Sequence, residues 1–182
     1  RLRPGAPRSS ILRMRSLLLA AALLLAPAAA RGQNAWDLAK KAAGDASVGK
    51  LEKSVNKRLL DEGRKNQCSF KSGTDVLEPG CDAKMKRLSN ALVDAKKKLN
   101  GAGVKNFKFV VSGHTDSSGD AAKNKELSEK RAQVVLKELV AKGIPAGEIE
   151  AVGMGSEKML VKPDDTPAKK AKNRRYELQV KL

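Results

Sequence analysis

The stretch Phe107-Lys108-Phe109-Val110-Val111-Ser112-Gly113-His114-Thr115-Asp116-Ser117-Ser118-Gly119 decides how this chain folds. Phenylalanines and valines around a single lysine predict a buried strand over 107–111, which Ser112-Gly113 ends. A polar loop over 114–120 follows. The spacing of Leu127, Val134, Val135, Leu139 and Val140 then predicts a helix over 121–142, stopped by Gly143. Ile149-Glu150-Ala151-Val152 predicts another short strand, so the stretch opens a strand-helix-strand unit.

Working outward toward the N-terminus, Cys68 and Phe70 mark a first short strand that ends in the turn-rich Lys71-Ser72-Gly73-Thr74-Asp75. Met85, Leu88, Leu92 and Ala95 share one face of a helix predicted over 82–99, closed by Asn100-Gly101. Toward the C-terminus, Tyr176, Leu178, Val180 and Leu182 alternate with Glu177, Gln179 and Lys181, the pattern of a half-buried strand. The predicted order is β-α-β-α-β-β. It describes an α/β (α+β) domain over 67–182, with a mixed sheet and helices packed on one face. Residues 153–172 make a long connection, expected to be functional or to conceal a short helix. Asp164-Asp165 within it read as a solvated turn. Before the domain, Val48, Leu51, Val55 and Leu59 predict an amphipathic helix over 47–62 within an extension of residues 32–66.

The formal net charge is +17, and residues 1–31 hold six arginines and no acid, so +11 falls on the remainder. Such a balance attracts polyanions without choosing among them. The N-terminus narrows the choice. From Met14 the chain reads MRSLLLAAALLLAPAAARGQNA: a basic start, an apolar run from Leu17 to Ala26, and the small residues Ala28-Ala29-Ala30. This pattern predicts a secretory signal over 14–30, since the run is shorter than the ~20 apolar residues of a membrane span. Residues 1–13 lie upstream of the expected start. Export makes a single Cys68–Cys81 disulfide the expectation, the alternative being two small buried thiols. A single histidine excludes a multi-histidine metal site. Without a nucleophile beside it, His114 is expected to hold its loop by a hydrogen bond rather than to catalyse.

The residues with chemistry to offer are an aspartate at a strand end, an arginine about two turns into the next helix, and Asn173-Arg174-Arg175 opening the last strand. Converging on one cleft, they suit a zwitterion: carboxylate to ammonium, guanidinium to carboxylate. The strings GHTDSSGDAAKNKELSEKRAQVV, GIPAGEIEAVGMGSE and NRRYELQV, in that order over 113–180, resemble the OmpA-like C-terminal domain family. That family is shared by outer-membrane porin tails, peptidoglycan-associated lipoproteins and flagellar stator proteins. The resemblance covers residues 67–182 and departs from the family at Lys71 and Met159.

It implies a non-enzymatic domain without cofactor or metal, which binds peptidoglycan non-covalently through the diaminopimelate of its stem peptides. Asp116 matches the residue that accepts from the ligand ammonium, and Arg131 the one that clamps its carboxylate. Asn124 and Arg174 match positions lining the site, while Ser72, Gly73 and Thr115 belong to its supporting loops. The implied location is the periplasm or outer membrane. Residues 33–66 are the segment available to an outer-membrane partner. The rival reading is a basic polyanion binder. For nucleic acid it is opposed by scarce aromatics, 3% of the chain, and by the export signal.

Overall fold

The computed structural model describes residues 28–182, with side chains from residue 44 onward. Residues 1–13 and all but the last three residues of the expected signal, 14–30, lie outside the described residues. Contacts divide the chain into residues 1–45 and 46–182. The described part of the first unit is helical backbone, the beginning of helix α1 (Ala28–Lys65).

In the second unit, the later turns of α1 are followed by α2 (Asp82–Gly101), β1 (Lys108–Gly113), α3 (Ala121–Ala141), β2 (Ile149–Gly153), α4 (Pro167–Asn173) and β3 (Tyr176–Lys181), with a 3-10 turn at Ala146–Glu148. The sheet order is β2-β1-β3. β1 pairs parallel with β2, from Phe109 opposite Ile149 to Gly113 opposite Gly153. It pairs antiparallel with β3, from Lys108 opposite Lys181 to Gly113 opposite Tyr176. A parallel pair needs a crossover, and α3 supplies it. The expected mixed α+β fold is present.

One core joins the layers. Met85, Leu88, Leu92 and Leu99 of α2 and Ala132, Val135 and Leu139 of α3 meet Phe109, Val111, Leu178 and Val180 of the sheet. Val55 and Leu59 of α1 belong to the same core at 3% and 1% exposure. The later part of the helical extension is therefore built into the domain's packing. Among the described residues, no helix is long and apolar enough to cross a membrane.

Two local expectations need correcting. The first is the strand at Cys68–Phe70, which survives only as an isolated bridge between Phe70 and Leu77. The outer edge of β3 is served by side chains instead. Asn56 accepts from the Val180 amide at 2.7 Å and donates to its carbonyl at 3.1 Å. Gln67 does the same for Tyr176, at 3.2 Å and 2.7 Å. With those backbone groups satisfied, no fourth strand is needed there. The second is Asp164, read as part of a solvated turn and in fact 5% exposed. The connection over 153–172 does conceal a helix, α4, capped by Thr166, whose side chain accepts from the Lys169 amide.

Candidate functional site

Glycine lets two elements close on each other where the site is formed. A Cβ placed on Gly113 would lie 2.1 Å from the Ser128 carbonyl oxygen, and one on Gly153 2.6 Å from the Glu129 amide nitrogen. At 0% exposure, Ser128 donates to the Lys125 carbonyl and accepts from the Gly155 amide, locking α3 to the end of β2. Arg131, one turn later, shares this inward face with Ala132. The predicted apolar stripe of α3 therefore holds two polar residues at its N-terminal end. Leu127 and Val134 are only half-buried.

A cleft of about 920 Å³ opens beside this contact. Asp116, Asn124, Arg131 and Arg174 line it, as do Ser72, Gly73 and Thr115. Residues scattered over a hundred positions of sequence are thus brought to one place. The Asp116 carboxylate accepts from Arg174 Nη1 at 2.7 Å and from the Ser118 amide at 3.0 Å. Burial raises its pKa, but the hydrogen bonds from Arg174 and Ser118 outweigh burial and hold it below the ordinary carboxylate value. Asp116 does not cap α3; Asp120 does, accepting from the Lys123 amide at 2.9 Å. Asn124 donates to the Ser118 carbonyl at 2.8 Å, tying the loop to the helix.

Arg131 is 8% exposed. Its Nε donates to the Thr74 carbonyl at 2.9 Å, and its guanidinium lies 5.0 Å from the centre of the Phe70 ring. Among the described residues it has no carboxylate within ion-pair distance. Burial lowers its pKa and the nearby charge of Arg174 adds to the effect, outweighing the opposite pull of Asp116 and Asp75. Arg175 turns elsewhere, bonding Glu177 at 2.7 Å, so the two adjacent arginines serve different partners.

Sequence reasoning missed the scaffold behind these groups. Asp164 accepts from the Ser117 amide at 2.9 Å, from the Ser117 hydroxyl and from Asn173 Nδ2 at 3.1 Å. The two Ser117 bonds bring its pKa down to about 2. Asn173, at 0% exposure, also accepts from the Leu160 and Val161 amides. The asparagine that opens the NRR motif is thus a clamp on the long connection. Its place in the motif was the one available signal, and the Asp164-Asp165 pair carried none. Phe70 and Thr74, which hold Arg131, were equally unmarked. His114 is 3% exposed, and neither ring nitrogen has a hydrogen-bond partner among the described residues; Nε2 lies 3.7 Å from Glu177. It does not hold the loop through its side chain. Its backbone amide does, donating to the Arg175 carbonyl at 2.8 Å. Burial, then Arg175, push its pKa down to about 4. Among the described residues, no three His, Cys, Asp or Glu side chains are grouped to hold a metal ion.

Cys68 and Cys81 form a disulfide, with Cα atoms 5.7 Å apart. It closes the loop that carries Phe70, Ser72, Gly73 and Thr74 against the cleft.

Residues 69–174 match the OmpA family. The chain belongs to the OmpA family. Among curated members, it is 56% identical over 57 residues to outer membrane protein A of Klebsiella pneumoniae, a match covering 31% of this chain and 17% of that one. It is 41% identical over 87 residues to outer membrane protein A of Escherichia fergusonii, covering 47% and 36%. The chain therefore matches well under half the length of these relatives. Two solved structures share the OmpA-family fold. The peptidoglycan-associated lipoprotein of Burkholderia pseudomallei aligns at TM-score 0.52 and 23% identity, over 63% of this chain and 89% of that one. The C-terminal domain of Helicobacter pylori MotB aligns at TM-score 0.52 and 23% identity, over 64% and 84%.

Proposed function

We propose that this protein binds peptidoglycan non-covalently through the diaminopimelate of its stem peptides, and so tethers the cell envelope to the wall from the periplasm or the outer membrane. The observation that carries this reading is Arg131, a guanidinium buried to 8% exposure with a carbonyl and an aromatic face but no carboxylate within ion-pair distance among the described residues. A buried charge without a carboxylate paired to it at contact is costly, and a ligand carboxylate would reduce that cost. Asp116 stands in the same cleft with its carboxylate ionised, ready for an ammonium. Membership of the OmpA family and the fold shared with a peptidoglycan-associated lipoprotein support the ligand class. The domain division, with a signal over 14–30, a helical extension over 32–66 and the binding domain over 67–182, belongs to the same reading. So does a role for residues 33–66 toward an outer-membrane partner.

Calorimetric titration of a diaminopimelate-containing muropeptide tests it. Asp116→Ala and Arg131→Ala should each weaken binding by about 1.5–3 kcal/mol, the range for hydrogen bonds to charged groups, or roughly tenfold and more. Since both hold one ligand, the double variant should lose less than the sum. Wild-type binding by both single variants would sink the clamp.

A further inference from the structure

The charges around the cleft set a second requirement on its ligand. Among the described residues, Asp116 is the only carboxylate lining it, against the cations Arg64, Arg131, Lys172, Arg174 and Arg175. Arg175 is matched by Glu177, and Arg174 by Asp116. Arg131 and Lys172 have no carboxylate within ion-pair distance among the described residues, and Arg64 has only exposed Asp61 at 4.0 Å. A zwitterionic side chain brings one ammonium and one carboxylate. Its carboxylate answers Arg131. Its ammonium, on reaching Asp116, competes with Arg174 for a single anionic group, so Arg174 joins Lys172 as a cation without a carboxylate partner. A cleft of about 920 Å³ also lies at the upper end of the roughly 300–1,000 Å³ that sites for drug-sized ligands occupy, with room for more than one amino-acid residue.

Resting on the clamp reading above, we propose that Arg174, supported by Lys172, is a second anion subsite, and that the ligand is an acidic peptide with one ammonium and two carboxylates. As the ammonium takes Asp116, the second carboxylate takes Arg174. In a stem peptide that group is the α-carboxylate of the D-glutamate preceding diaminopimelate, which is free in the unamidated form and neutral in the D-isoglutamine form. Arg174 is thereby a specificity residue, reading amidation one residue away from the clamp.

Two muropeptides that differ only in D-glutamate against D-isoglutamine, titrated into the full chain by calorimetry, test this. Wild type should bind the D-glutamate form about tenfold or more tightly, the factor that ~1.4 kcal/mol supplies. Arg174→Gln should bind both forms alike. Lys172→Ala should narrow the preference. Equal binding of the two forms by wild type, still weakened by Asp116→Ala, overturns the second subsite and leaves the clamp standing. Retention of the preference in Arg174→Gln overturns it too. Failure of both forms to bind overturns the clamp and the subsite together.

Discussion

Gly113 shows how one missing side chain sets the site. Its Cβ position is occupied by the Ser128 carbonyl, which is backbone and cannot rotate away. Gly113→Ala should therefore push α3 off β1 and destabilise the protein by about 3 kcal/mol or more, at the upper end of the cost of overpacking a core. Denaturant unfolding checks this, and a wild-type midpoint would show that the helix can shift freely. His114 offers a different test, because its pKa falls from 6.5 to about 4 on folding. The unfolded chain binds the proton more readily, so stability is complete above pH 6.5 and is lost as pH falls toward about 4. Carboxylates with lowered pKa, Asp116 and Asp164, release stability only below their ordinary value of 3.8. Between pH 6.5 and 5 the slope belongs to the histidine, and His114→Gln should flatten it whatever its absolute stability. An unchanged slope in the variant would assign the loss to another group.

Among the elements, the disulfide loop and α3 cooperate. The bridge spans a sequence separation of 13, which in the chain-entropy model contributes about 3 kcal/mol. It also keeps Phe70 and the Thr74 carbonyl on Arg131. Labelling of the unfolded, non-reduced protein should find no free thiol in Cys68 or Cys81. Reduction should lower unfolding stability by about 3 kcal/mol and weaken muropeptide binding in parallel. Stability and affinity that both ignore reductant would separate the loop from the clamp. The helices here were legible because Met85, Leu88 and Leu92 recur at a helical period, and β3 because Tyr176, Leu178 and Val180 alternate. The absent first strand was not legible. Its place is taken by side-chain hydrogen bonds from Asn56 and Gln67, and such partners depend on helices far away in sequence.

Across the protein, a net charge of +17 invites the thought that any polyanion would bind. Position argues otherwise. Lys96, part of the lysine run 96–98, is held by Glu148 at 2.6 Å, whereas the arginines of the cleft are gathered around one carboxylate. Exposed charges are screened beyond a Debye length of ~8 Å at physiological ionic strength, and partly buried ones much less. Lys97→Ala with Lys98→Ala should therefore co-sediment with purified sacculi as wild type does at physiological salt, and fall behind only at low salt. Arg131→Ala should fall behind at both. If the lysine variant fails at physiological salt while Arg131→Ala does not, the protein is a general polyanion binder.

Periodicity and turn residues by themselves determined the helices, read over 82–99 and 121–142, the three strands of the sheet, and the family through its ordered motifs, because each of these depends on neighbours within a few turns of chain. Asp116, Asn124, Arg131 and Arg174 were legible as residues. Their partners were not. That Asp116 meets Arg174, that Arg131 rests on Phe70 and Thr74 with no carboxylate within ion-pair distance among the described residues, and that Asp164 and Asn173 are buried clamps were decided only by the tertiary structure. The physical reason is that a charged side chain's role follows from its burial and its counter-ion. Both are set here by groups as far apart as Phe70 and Arg131 in the sequence, brought together when α3 closes on the glycines of the sheet.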